Sequence, residues 1–538
     1  MRTDRLAATC LALLASAALA QDAPPPPDAP GAPQDTPPQP AKPATPPRVP
    51  FSGTADELAA KFPQVVRVAD YGRSAGGKPL RLVTVSAAKD TEFEWAALVV
   101  AHLSGLRPGD ESALALDVAA RLAERAEDLP PRTAFRFAID GNPDAATAAD
   151  RESPRSGNAT PTDDDRDGDV GEDAPDDLDA DGRIGWMRIP DPAGEFAADV
   201  PAKPDAAPAR ADVAKGTPAA WRIVPEGRDD DGDGLWNEDG PGGVDVSRNF
   251  TVGFEEHVPA AGRWAASESE SRALMDLLLA DARIAAVYEI GDAETIAAAP
   301  EWGGAWTKLP DDDAKLLEGL RAAHGKGRVE KRKSRAPGAG SLGATVWHQL
   351  GRLWFGRAPM NRVGPPWPAA GSEWPADASF SWKDVTGTGV PHGAQVAFPQ
   401  PSDPTRKGPT VADETDSIAD FLVLLAKERA RLAFTGTDTS GEPGVVKIET
   451  RLVNAGRLPT HTQRGADVKG RRPMNLRVVL PAGASLLAGK PLTQIERIAG
   501  GAETEPMRWV VRGPSGATVK LECTGPDTGT TTLEVRVP

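Results

Sequence analysis

Short apolar runs alternate with amphipathic stretches over most of the chain. Thr54 stands before Ala-Asp-Glu-Leu-Ala-Ala-Lys61, an N-cap residue ahead of a helix. Gly72-Arg-Ser-Ala-Gly-Gly-Lys-Pro79 reads as a turn, and Leu80–Ser86 as a strand of alternating apolar positions. Trp95–Val100 is a continuous apolar run, the pattern of a strand buried on both faces. Asp110 is placed to cap a helix from Glu111 to Glu124, with Leu114, Val118 and Leu122 on one face. A strand over Ala134–Ile139 ends at Asn142-Pro-Asp. A helix over Glu268–Ala282, a strand over Ile284–Ile290 and a last helix from about Asp416 to Leu432 continue the alternation. Strands alternating with helices predict an α/β domain with a largely parallel or mixed sheet.

Beyond Phe434 the texture changes. Val445–Val453, Leu476–Leu480, Arg508–Arg512, Thr518–Glu522 and Thr532–Val537 are short strands separated by turn residues, with no helix signal between them. A β-sandwich of roughly 100 residues fits this spacing. The predicted organisation is therefore a leader at 1–20, a Pro-rich linker at 21–50, an α/β domain at 51–434 and a β-sandwich at 435–538.

The leader reading rests on Arg2 and Arg5 before the apolar run Leu6–Leu19, followed by Ala18-Leu-Ala20 as a signal-peptidase site. It predicts a secreted or periplasmic protein cleaved near Ala20. No later stretch reaches about 18 apolar residues, so no membrane span is expected. Cys523 is then the only cysteine left, which excludes an internal disulfide and a cysteine-based zinc site. A net charge of -17 argues against nucleic acid as a partner.

Much of that charge sits in Asp-rich stretches. Asp163 to Asp173 and Asp229 to Asp239 align residue for residue, and both contain D-x-D-x-D-G. Carboxylates at loop positions 1, 3 and 5, then a glycine for the sharp turn, suit the oxygen cage of calcium. Asp177-Leu-Asp-Ala-Asp-Gly repeats the first half. The calcium ligands expected are Asp163, Asp165, Asp167 and Asp173, then Asp177, Asp179 and Asp181, then Asp229, Asp231, Asp233 and Asp239. Position 12 is Ala174 or Gly240, so the bidentate Glu of an EF-hand is missing from its usual place.

The order of motifs from 51 to 434 resembles the M14 zinc carboxypeptidases. The resemblance is carried by Gly72-Arg-Ser-Ala-Gly-Gly-Lys-Pro, Leu98–Ser104, Asn142-Pro-Asp, Val244-Asp-Val-Ser-Arg-Asn-Phe250, Ser267–Leu274 and Ser341–Gly351. It implies a carboxypeptidase-like mixed sheet flanked by helices, with residues 150–243 as an Asp-rich calcium-binding insertion. It also implies a catalytic zinc held by His-x-x-Glu and a second His, but those residues are not found here. Ser104 and Arg107 stand where the first pair belongs, Gly291 or a neighbour where the second His belongs, and Ala358 where the catalytic Glu belongs. None of the six His forms a metal-binding spacing. His102, two residues before Ser104, would share its face on a continuing strand. Ser247-Arg-Asn-Phe250 resembles the Asn-Arg-Asn-aromatic motif whose Arg grips the substrate carboxylate. The resemblance thus implies substrate binding by Arg248 and Asn249, with Arg155 as a further match.

The function expected is a degenerate pseudo-peptidase that binds peptide or cell-wall peptide C-termini, with calcium as the ion and zinc lost. Two alternatives are an active zinc carboxypeptidase with relocated ligands and a calcium-dependent structural or adhesive envelope protein. The Asp-rich insertion leads straight into the Arg248 motif, which suggests that calcium positions that arginine.

Overall fold

The alternating pattern that begins near Phe51 folds around one mixed sheet. The computed structural model describes residues 48–86, 93–104, 110–145, 157–163, 175–181, 184–199, 203, 205–230, 232, 234, 236, 243–291, 293–296, 309–324, 337–358, 378–398, 400–401, 411–469 and 471–538. The leader (1–20) and the linker (21–50) except for its residues 48–50 lie outside these residues. Residues 49–538 hold together as one unit.

Six strands make the central sheet. Val66–Arg73 pairs antiparallel with Pro79–Ser86, which pairs antiparallel with Thr133–Ala138. From there the sheet is parallel: Thr133–Ala138, Trp95–Ala101, Ile284–Ile290 and Leu353–Arg357 follow in spatial order. Trp95–Ala101 and Ile284–Ile290 are buried at every position, which is why they read as continuous apolar runs rather than alternating ones.

Helices cover the sheet. Asp110–Glu124 packs on the strands beneath it and on helix Val411–Glu428. Leu114, Val118 and Leu122 point inward as the periodicity required. Charge pairs along the helix seam, Arg121 with Asp416 and Arg125 with Asp420, fix the register. The N-cap at Thr54 is a full capping box with Glu57. Asp110 lies inside its helix rather than capping it. The last helix ends at Glu428, short of Leu432, because Leu432 begins the next strand. A further helix, Asp311–His324, went unread in the sequence.

The Asp-rich insertion contains strands of its own. Trp186–Pro190, Ala219–Pro225 and Phe196–Ala197 form a small sheet that Gln395–Ala397 and Lys383–Asp384 complete from far along the chain. Arg188 lies between the rings of Trp221 and Trp382, 4.3 and 4.4 Å from their centroids.

The C-terminal part is two four-stranded antiparallel sheets. Their inner faces share one core that includes Val446, Leu476, Trp509, Leu521 and Cys523. All five expected strands are present. Ser485–Ala488 and Leu492–Ile495 are additions, and Leu432–Glu442 starts before the expected boundary at 435. Helix Gln463–Val468, capped by Thr462, corrects the reading of an all-strand domain. It is only six residues long, too short for helical periodicity to show. This helix also joins the two parts: Asp313 accepts the backbone N–H groups of Gln463 and Arg464, and Thr462 Oγ1 donates to the Gly351 carbonyl. Among the described residues no helix is long and apolar enough to cross a membrane.

Candidate ligand cleft and metal-binding loop

Strand order locates the site. After Trp95–Ala101 the chain moves to one side of the sheet, to Thr133–Ala138. The later strand Ile284–Ile290 lies on the other side. This reversal leaves a crevice at the carboxyl ends of parallel strands, where ligands bind in open α/β sheets. A cleft of about 390 Å³ opens there, lined by Ser104, Asp245, Arg248, Glu255, Glu289 and Gly291 among others.

Ser104 and Gly291 are thus brought together, each just past the end of its strand, and Arg248 joins them. Arg107 and Arg155 lie outside the described residues. Ala358 follows strand Leu353–Arg357 and does not line the cleft. Asn249 is corrected. Its side chain is fully buried and turned into its own loop, donating to the carbonyls of Ala261 (2.7 Å) and Trp264 (3.1 Å) and accepting from Glu268 N (3.1 Å) and Ser271 Oγ (2.6 Å). It braces the wall that carries Arg248 and does not line the cleft.

Arg248 ends a single 3₁₀ turn, Val246–Arg248, that Asp245 caps by accepting from Ser247 N at 2.9 Å. Its guanidinium pairs with Glu255 across the cleft mouth. Behind it, Gly340 has φ +64° and lies so close that a Cβ there would sit 2.1 Å from the Arg248 carbonyl oxygen. Glu289 accepts a hydrogen bond from Trp354 Nε1 at 3.0 Å. Glu255 and Glu289 were missed in the sequence. The signal for Glu289 was an acid inside the otherwise apolar strand Ile284–Ile290.

No histidine lines this cleft among the described residues. His102 does not share the face of Ser104. The strand ends at Ala101, and His102 takes φ +57°, which breaks the two-residue alternation. Its Nδ1 lies 2.8 Å from Asp140 Oδ1, its backbone N–H donates to Glu111, and its buried Nε2 has no partner among the described residues. Burial alone would lower its pKa, but Asp140 and Glu111 outweigh that and raise it. Among the described residues the cleft carries three carboxylates, Asp245, Glu255 and Glu289, and neither of the nitrogen and sulfur donors, histidine and cysteine, that zinc sites use.

The third Asp-rich loop does supply a donor set. Carboxylate oxygens of Asp177, Asp179 and Asp181 lie within 4.8 Å of one another. The Asp181 amide donates to both Asp177 Oδ1 and Asp179 Oδ1, which orients the two carboxylates. Glu226 supports the loop from behind, accepting from the amides of Leu178, Asp179 and Gly185 at 2.6, 3.1 and 2.7 Å. Burial pushes the Glu226 carboxyl up to about 7. Lys383 Nζ lies 2.6 Å from Asp179 Oδ2, a protein cation already drawn to this charge. These hard oxygen donors suit calcium.

The second loop runs alongside. Pro175 bridges Gly227, and Arg228 pairs with Asp176. Asp229 turns into its own loop, accepting from Gly232 N and Gly234 N. Asp163 is described apart from this cluster. Asp165, Asp167, Asp173, Asp231, Asp233 and Asp239 lie outside the described residues. Arg248 is held by Asp245 and Glu255, not by the Asp177–Asp181 loop. The base of the insertion is clasped by Asn158, whose backbone N–H donates to the Val244 carbonyl and whose Oδ1 accepts from Val244 N.

Among known families, a model described as "Domain of unknown function (DUF8731)" matches residues 432–536, the C-terminal β domain. No curated protein matches the chain. Solved structures similar to it include carboxypeptidase A from Helicoverpa armigera, at 14% identity and TM-score 0.33 over 58% of this chain and 66% of that one. Others are the metallo-carboxypeptidase from Burkholderia cenocepacia (12%, TM-score 0.31, 69% and 66%) and that from Pseudomonas aeruginosa (11%, TM-score 0.34, 69% and 67%). The chain spans just under two thirds of the first two. Likeness at these TM-scores carries no argument about activity.

Proposed function

We propose that this protein is a catalytically degenerate relative of the metallocarboxypeptidases that binds the C-termini of peptides or cell-wall peptides, with calcium holding the Asp-rich loop. The observation that carries this reading is one cleft lined by Ser104, Gly291 and Arg248, at the switch point of the sheet, with no histidine on it among the described residues. A guanidinium at the mouth can fork onto a carboxylate in place of Glu255. With serine and glycine on the floor, the ligand is bound and not cut.

The test has two parts. Peptides with free and with amidated C-termini are compared by fluorescence anisotropy, with Arg248→Ala as control; equal binding of both forms would remove the carboxylate reading. The chelated protein is then back-titrated with zinc. Stoichiometric tight zinc together with release of C-terminal residues would sink the degenerate reading.

Calcium is checked separately by the thermal midpoint with calcium or chelator. Asp177→Asn should abolish the calcium-dependent rise, and Lys383→Ala should tighten binding by removing a competing cation.

A second reading, an active hydrolase with relocated ligands, is favoured by one observation. Asp140 orients His102 and leaves Nε2 bare, the arrangement of a histidine ready to ligate or to take a proton. Under that reading His102→Ala eliminates both zinc and activity; a variant that keeps either refutes it.

A further inference from the structure

A second pocket, of about 450 Å³, lies in the C-terminal domain and is independent of the cleft. Its wall comes from the short helix Gln463–Val468, the turn after it and the strand Leu492–Ile495. Three cations line it, Lys469, Arg471 and Arg472, against the single acid Glu496. Arg471 is already committed: one arm pairs with Asp527 at 2.9 Å and the other donates to the Ala282 carbonyl. Lys469 and Arg472 are exposed and make no ion pair among the described residues.

His461 completes the wall and is only 3% exposed. Its Nε2 lies 3.1 Å from the Arg472 carbonyl oxygen. A carbonyl can only accept, so the proton sits on Nε2. Nδ1 is buried and has no partner among the described residues. Burial first, then the Arg471 charge, hold the His461 pKa below the ordinary histidine value. Arg497 acts in the same direction, and Asp527 and the Arg472 carbonyl act against it. At neutral pH Nδ1 is therefore a buried acceptor on a residue that lines the pocket. An orphaned buried acceptor is costly and calls for an O–H.

We propose that this pocket binds a phosphate-type oxyanion that keeps a protonated oxygen, its charged oxygens on Lys469 and Arg472 and its O–H donated to His461 Nδ1. Monohydrogen phosphate, free or as the end group of a larger molecule, has both features. Sulfate has the charge but no O–H at neutral pH.

That difference provides the test. The full chain is titrated calorimetrically with inorganic phosphate and with sulfate, at neutral pH and again well below the ordinary histidine pKa. Phosphate should bind about tenfold more tightly than sulfate at neutral pH. Acidification protonates both Nδ1, which then donates to sulfate, and the phosphate, which then carries one charge against two on sulfate, so the phosphate advantage should be lost. Lys469→Ala and Arg472→Ala, both at exposed positions that leave the fold intact, should each weaken phosphate binding about fivefold. Absence of saturable phosphate binding in the millimolar range would overturn the proposal. So would phosphate affinity unchanged in both variants, or equal affinities for the two anions at neutral pH. None of these outcomes depends on what the cleft at Arg248 binds.

Discussion

Replacing Asn249 by alanine separates a structural role from a ligand-binding one. Its amide satisfies groups that have no other partner among the described residues: the Glu268 N–H and the Ala261 carbonyl. Ser271 Oγ keeps its bond to the Glu268 carbonyl, and the Trp264 carbonyl keeps Ser267 N, so these two are not orphaned. Both orphaned groups belong to buried residues. At about 1–3 kcal/mol for each buried polar group left unpaired, Asn249→Ala should cost about 2–6 kcal/mol. Asn249→Asp should be no milder at neutral pH, since its second oxygen would face the carbonyls of Ala261 and Trp264, which can only accept. The assay is urea unfolding followed by tryptophan fluorescence, with the midpoint shift converted through an unchanged slope. A loss under about 1 kcal/mol, combined with weaker peptide binding, would refute the argument and return Asn249 to the ligand site.

Three more outcomes are expected. Glu255→Gln frees Arg248 from its partner and should tighten binding of free C-termini by about two- to fivefold, the worth of a half-exposed ion pair, read by anisotropy. Asp281 is pulled below its ordinary value of 3.8: burial would raise it, but the hydrogen bonds and charge of Arg283, with Arg136, outweigh that. Its contribution is therefore present above 3.8 and lost as pH falls through the lower folded value. Asp281→Asn should cost about 2–3 kcal/mol at neutral pH and flatten the acid limb of a stability–pH curve; an unchanged acid limb would contradict this. The Cys523 thiol, fully buried and pushed up to about 12 by that burial, should not react with disulfide reagents at mildly alkaline pH until the protein unfolds; prompt native labelling would show the β core opens locally.

Much of the architecture was legible along the chain because its signals are local. Continuous apolar runs at Trp95–Ala101 and Ile284–Ile290 marked central parallel strands, and Thr54 marked a helix start. Alternation after residue 445 marked a sandwich. The helix Gln463–Val468 and the strands inside the Asp-rich insertion were missed. The helix is too short to show a period; of the strands, Trp186–Pro190 pairs both with Ala219–Pro225 about 35 positions on and with Gln395–Ala397 about 200 positions away.

The candidate sites divide in the same way. Spacing alone picked out Asp177, Asp179 and Asp181, because carboxylates of one loop that could share an ion are neighbours in sequence. Motif order alone singled out Ser104, Gly291 and Arg248. Which of them meet was decided by strand order, since the crevice exists only where the chain crosses from one half of the sheet to the other. Direction was also tertiary. His102 turns away because its strand stops one residue earlier, and Asn249 turns inward because the Ala261–Ser267 loop offers it carbonyls. Residue type and spacing are properties of the sequence. Which atoms face a common space follows from packing, and packing placed Glu255 and Glu289 in the cleft and His461 beside Lys469 and Arg472.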